Sequence, residues 1–246
     1  MIHYHGTPCG GPRQDVARFL AGRHALIPFP RQEDLGTAAE VCQSFCFDNG
    51  AFTALKSGNP VTDWGPYYEW VAKWRHHPGF DWAIIPDVID GSEEDNDQEI
   101  INWPFGYGFG VPVWHMHESI ERLIMLTRRG YPVVAIGSSG QWPNPGTASW
   151  WERMAEAMNE ICDKDGRPPC KLHGLRMLDP AIFHRLPLSS ADSTNAVRNS
   201  SSYSRFGMYQ PPSAATRMQI IAERIETHQS AAIWVPMDQQ KTLAFV

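Results

Sequence analysis

Two hydrophobic periodicities alternate along the chain. Short apolar runs near 2–5, 24–28, 44–48, 81–86, 111–116, 132–137, 171–176 and 187–191 are too short for helices and read as buried strands. Between them, near 13–21, 32–42, 66–76, 93–103, 117–129 and 147–163, apolar residues recur at helical spacing, which predicts helices with one buried face. The clearest is Glu118 to Gly130, where Ile120, Leu123, Ile124 and Leu126 form the apolar face and Gly130 supplies the C-terminal stop. Eight strands alternating with helices predict an α/β fold, a single-domain (β/α)8 barrel of the TIM type over 1–246. An open doubly wound sheet is the alternative, but no Gly-x-Gly-x-x-Gly follows the first strand. The Ser- and Asn-rich stretch 189–212 is expected to be a functional loop outside the core. A last helix over 213–228 is expected to pack on the outside.

Composition narrows the class. The chain has 246 residues, 42% of them apolar, which is enough for a large core. A net charge of −6 provides no global basic field, so any polyanion partner must be met by a local patch. The five cysteines include no Cys-x-x-Cys pair and no metal-ligand spacing, and read as reduced thiols of a cytoplasmic protein. Neither a signal pattern nor a membrane-length apolar run is expected.

The chemistry is concentrated where strands end. The run Leu186 to Ala191 is expected to deliver Asp192 at the start of a polar loop containing Ser193, Thr194, Asn195 and Arg198. A carboxylate there, with hydroxyls and a cation behind it, suits a glycosyl-transferring nucleophile; a helix cap is the plainer role. Two further runs close on an aspartate in the same way, Ser44 to Asp48 and Asp81 to Asp87. Three such ends at the spacing of successive βα units predict converging acidic groups. As plainer roles, Asp48 could serve an Asp-Asn-Gly turn and Asp87 could cap the acidic segment 90–97. The acidic run Glu93 to Asp97 reads as a solvated helix start.

These motifs resemble the tRNA-guanine transglycosylase superfamily. Phe47-Asp48-Asn49-Gly50-Ala51-Phe52 is similar to its Asp-Ser-Gly-Gly-Phe motif. Leu172-His173-Gly174-Leu175, followed by Ser190-Ala191-Asp192-Ser193-Thr194 and Arg198-Asn199, resembles its closing region. Val134 to Gly140 looks like the glycine-bearing strand end that lines the base site. The matches run in order over roughly 44–199. The chain lacks the insertions of the tRNA enzymes, so the closest likeness is to small paralogues of phages and bacterial modification islands, thought to place a 7-deazaguanine in DNA. A cysteine cluster after the nucleophile, which holds zinc in the family, is missing: no cysteine follows Cys170.

The resemblance implies base exchange with retention at C1′. Asp192 would be the nucleophile and Asp48 the proton-transfer group, two carboxylates acting as in retaining glycosidases. Asp87 would accept the ring N–H and amino group of a guanine-type base. His115, His117, Gly137, Ser138, His173 and Arg198 complete the expected substrate-binding set. The partners would be DNA, with tRNA as the alternative, and a free 7-deazaguanine base. Neither cofactor nor metal is expected, nor a membrane partner.

Other residues bear on this reading. His115 and His117 share a face if both lie in a strand, and His3 and His5 repeat that spacing. A four-histidine site, with His173 nearby, would instead indicate a metal-dependent, amidohydrolase-like barrel. A third possibility is a non-catalytic nucleic-acid-binding barrel. A duplex substrate must have its base flipped out. Tyr203, Phe206, Tyr209 and Trp142 are candidates to stack on it, and Arg198, Arg205, Lys171 and Arg176 to meet phosphates.

Overall fold

The computed structural model describes residues 1–201, 206 and 209–236. Among the described residues the chain divides into two compact units, one drawn from 2–84 and 192–228, the other from Met1, 85–191 and 229–236.

The first unit opens as three parallel βα repeats and a fourth strand: β1 (Ile2–Gly6), α1 (Arg13–Leu20), β2 (His24–Pro28), α2 (Leu35–Val41), β3 (Ser44–Asp48), α3 (Ala51–Lys56), α4 (Gly65–Trp74) and β4 (Phe80–Ile84). β2 lies between β1 and β3, and β4 pairs with β3. The register sets Pro28 opposite Asp48, so β2 and β3 end level. Alternation sorts the residues of β3. Phe45 and Phe47 turn towards α4, where Phe47 stacks on Trp70 at 3.7 Å and Phe45 meets Trp74 edge-on. Burying each such ring contributes about 1.5–3 kcal/mol. Ser44, Cys46 and Asp48 fall on the opposite face.

The second unit holds α5 (Glu93–Asn102), β5 (Gly110–Val111), β6 (Val113–His115), α6 (Ile120–Arg128), β7 (Val133–Gly137), α7 (Ala148–Ile161), β8 (Lys171–Gly174), α8 (Pro180–Phe183) and the start of β9 (Ser190–Ser193). β6, β7, β8 and β9 pair in parallel in that order. His115 faces Gly137 across β6 and β7, and Gly174 faces Ala191 across β8 and β9. α5 starts on a full capping box between Ser92 and Asp95, and Ser119 and Thr147 cap α6 and α7.

The chain returns to the first unit with the end of β9, α9 (Asn195–Asn199) and α10 (Ala214–Glu226).

Three expectations are corrected. The described residues contain nine strands rather than eight, because Pro112, which has no N–H to donate, splits 111–116 into β5 and β6. The last strand begins at Ser190, not near 187, since Pro187 interrupts the run and Leu188 N–H turns back to the Leu186 carbonyl. Asp192 therefore lies within β9, and the expected loop 189–212 begins as strand and continues into α9. The short helices α3, α8 and α9 carry too few turns to show a periodicity. No helix among the described residues is long and apolar enough to cross a membrane.

Candidate active site

In the first unit, Asp48 closes β3 and Asp192 sits in β9 with 7% of its surface exposed. Cys46, two residues before Asp48 on the same face of β3, carries a fully buried thiol. Burial raises that thiol far above its usual value, and the charges of Asp192, Asp81 and Asp48 raise it further. Asp48 Oδ2 accepts the Gly50 N–H at 3.1 Å, and Gly50 adopts φ +83°, a left-handed turn that carries the chain into α3. A Cβ at Gly50 would stand 2.4 Å from Pro30 Cδ, which fixes glycine at this position. Asp48 therefore fills its plainer turn role as well. Asp192 is no helix cap: α9 starts after Thr194. Gly6, at the end of β1, is where a Cβ would crowd Thr194, so this loop seats closely on β1. Arg198 lies exposed on α9.

Near the opposite ends of these strands is a separate polar cluster. Tyr4 donates to Asp81 Oδ2 at 2.5 Å, Ser44 donates to the same oxygen, and His24 Nδ1 lies 2.7 Å from Ser44 Oγ. Polar groups at strand N-termini serve stability. His3 and His5 turn towards α10. His3 Nε2 lies 3.0 Å from the His228 carbonyl, and His5 Nε2 lies 2.8 Å from Glu226, which Arg23 also binds. The rival four-histidine metal site is not formed by these residues: alternation places His3 and His5 on the helix side of β1.

In the second unit, Asp87 and His115 form a buried pair, with Oδ2 to Nε2 at 2.9 Å and exposures of 8% and 2%. Their distance suits an ion pair, but the geometry does not satisfy a hydrogen bond at Nε2. Asp87 lies three residues beyond β4, after Pro86, rather than at the strand's last residue, and it does not cap α5. Asn96 and Glu118, which sequence reasoning missed, flank this pair. Glu118 Oε2 accepts the His115 backbone N–H and the Arg122 guanidinium, each at 2.8 Å. Burial raises the Glu118 carboxyl, against the opposing charges of Arg122 and His115.

His115 ends β6, and His117 lies beyond it in a turn, so the two do not alternate along a strand as expected. Their rings stack at 5.8 Å; His117 Nδ1 lies 2.8 Å from Ser139 Oγ and Nε2 3.1 Å from the Gly91 carbonyl. Gly137 leaves room for His115, whose Nδ1 would be 3.2 Å from an added Cβ. Ser138 Oγ accepts the Trp150 indole N–H, and its carbonyl accepts Arg176. His173 is fully buried with Nδ1 2.8 Å from Ser190 Oγ. Ser138 and His173 thus have structural partners inside this unit.

The phosphate and stacking candidates divide. Lys171 opens β8 and so sits at the strand's N-terminal end, away from the carboxyl ends of the strands, which corrects its expected placement. Trp142 lies under the Arg153 guanidinium at 5.0 Å. Phe206 is buried and Tyr209 is 75% exposed. Tyr203 and Arg205 lie outside the described residues.

The zinc centre of the resembled family does not fit this chain. A thiolate-rich site needs cysteines after the nucleophile, and none occurs there. No group of three or more His, Cys, Asp or Glu among the described residues is arranged to hold a metal ion.

No protein-family model matches the sequence, and no curated protein matches it significantly. Solved structures do resemble it. A protein assigned as a fructose-1,6-biphosphate aldolase from Coccidioides immitis is 15% identical, covers 92% of this chain and 88% of its own, and superposes with a TM-score of 0.53. A mutant tryptophan synthase alpha-subunit from the hyperthermophile Pyrococcus furiosus is 12% identical, covers 93% and 98%, and gives 0.52. At these identities the likeness shows the fold alone. That fold is an α/β barrel of the TIM type.

Proposed function

We propose that the protein is an enzyme, a transglycosylase that exchanges guanine in DNA for a 7-deazaguanine base through a covalent aspartyl-glycosyl intermediate. The observation that carries this reading is that Asp48 closes β3 and the buried Asp192 lies in the last residues of β9, so each carboxylate sits at the carboxyl end of its strand. Active-site groups of such barrels come from the carboxyl ends of different strands. The sequence motifs around both residues support the same assignment.

An Asp192 oxygen attacks C1′, forming an ester as the C1′–N bond to guanine breaks and its electron pair leaves with the base. Asp48 gives the departing purine a proton. The incoming base then loses a proton to Asp48 and attacks C1′ with its nitrogen, and the ester bond returns its electron pair to Asp192. Two displacements retain configuration. For Asp87 we propose the guanine-reading role, since a carboxylate accepts two adjacent N–H donors that adenine does not offer.

Incubation of the protein with labelled guanine and either duplex DNA or tRNA tests this reading. Label entering DNA supports it, label entering tRNA alone moves the activity to the other polymer, and no transfer to either polymer refutes base exchange.

A further inference from the structure

Asp87 lies in a stretch with no regular backbone pairing. β4 ends at Ile84, Pro86 has no N–H, and Val88 is 39% exposed, so packing of its side chain does not hold the chain there. The Asn96 side chain does. Asn96 is 2% exposed; its Oδ1 accepts the Val88 N–H at 2.8 Å and its Nδ2 faces the Val88 carbonyl at 3.2 Å. One amide thus binds both backbone groups of the residue after Asp87, as a neighbouring strand would. The same Nδ2 donates to Glu118 Oε1 at 3.0 Å. The other Glu118 oxygen takes the His115 backbone N–H, and Arg122 locks that carboxylate in place while donating to the Val113 carbonyl. Side-chain bonds therefore connect the backbone beside Asp87 to the backbone of His115.

We propose that Asn96 and Glu118 are positioning residues that fix the direction in which Asp87 presents its carboxylate to a guanine-type base. The part concerning the base rests on the function proposed above; the clamp itself does not. A fold-stabilising role alone would be met by the buried Glu118–Arg122 pair. It would not require an amide that binds both backbone groups of the residue that follows Asp87.

The test reads the His115 ring nitrogen chemical shifts by NMR at fixed pH in the intact protein, because those nuclei report where the Asp87 carboxylate stands against the imidazole. It is run alongside calorimetric binding of free guanine. Asn96→Ala is compared with wild type, Asp87→Ala and Asp97→Asn, the last removing an Arg122 partner outside the clamp. Asn96→Ser, which keeps one polar group, serves if Asn96→Ala fails to fold. The expected result is a His115 signal displaced towards that of Asp87→Ala, with guanine affinity reduced roughly tenfold or more and Asp97→Asn close to wild type. A His115 signal in Asn96→Ala equal to wild type overturns the clamp, whatever happens to guanine. Failure of the wild type to bind guanine, with the signal displaced as expected, refutes the base-reading role and leaves the clamp standing.

Discussion

His115 Nε2 stands 2.9 Å from Asp87 Oδ2, both side chains almost wholly buried, without the alignment of a hydrogen bond. A carboxylate offers about four acceptor positions and can bind two adjacent donors at once. Burial strengthens such bonds, because a charged hydrogen bond is worth more where water is excluded.

Replacing Asp87 should therefore weaken the base more than the polymer. Asp87→Ala is expected to lower guanine affinity by roughly 10- to 150-fold, the equivalent of about 1.5–3 kcal/mol for a charged hydrogen bond. DNA affinity should change far less. Equal losses for guanine and DNA, measured by calorimetry and by a filter or mobility assay, would assign Asp87 a structural role.

Arg122 and Glu118 form an ion pair at 2.8 Å with side-chain exposures of 1% and 0%. Removing the cation strands a buried carboxylate. Arg122→Met should cost about 3–5 kcal/mol in denaturant unfolding. A cost below about 1 kcal/mol would contradict the pairing.

Gly50 governs the turn that holds Asp48. Its φ of +83° and the 2.4 Å approach of Pro30 to an added Cβ exclude a side chain. Gly50→Ala should lose about 1–2 kcal/mol from backbone strain alone, with the clash adding to it. Exchange activity should fall further than the stability loss explains, since the Gly50 N–H binds Asp48. A variant with wild-type stability and activity would refute this view of the turn.

Glu226 supplies a pH dependence. Burial pushes its carboxyl up, but hydrogen bonds and charge from His5 and Arg23 outweigh that and bring it from 4.5 to about 2. A depressed folded value means stability that is fully present above pH 4.5 and lost as pH falls towards 2. In acid unfolding the advantage of wild type over Glu226→Gln should shrink across that window. A difference constant from pH 7 to 2 would contradict it.

Much of the barrel's grammar was legible in the chain. Ser44 to Asp48 is strand in the structure at its expected limits, and Ile120 to Arg128 is helix with Ile120, Leu123 and Leu126 of its expected apolar face buried and Ile124 half-buried. The positions of Asp48 and Asp192 near strand ends were legible because a carboxylate closing an apolar run is a local signal. Asn96 and Glu118 could not. Their partners lie up to 22 residues away, and Asn96 sits inside an acidic run that reads as a solvated helix start. That reading was right for Glu94 and Asp95, whereas Asn96 turns inward and Asp97 reaches Arg122. The His-x-His spacing misled for a related reason, since β6 ends at His115 and alternation no longer applies to His117.

The central claim is that Asp192 forms the bond to C1′, and trapping that bond tests it most directly. Wild type incubated with guanine-containing DNA and then denatured should show a protein–DNA adduct, with the sugar mapped by mass spectrometry to Asp192. The adduct should disappear in Asp192→Ala while the variant keeps its fold by circular dichroism. Base exchange by Asp192→Ala within a few-fold of wild type, or an adduct mapped to another residue, would contradict the account.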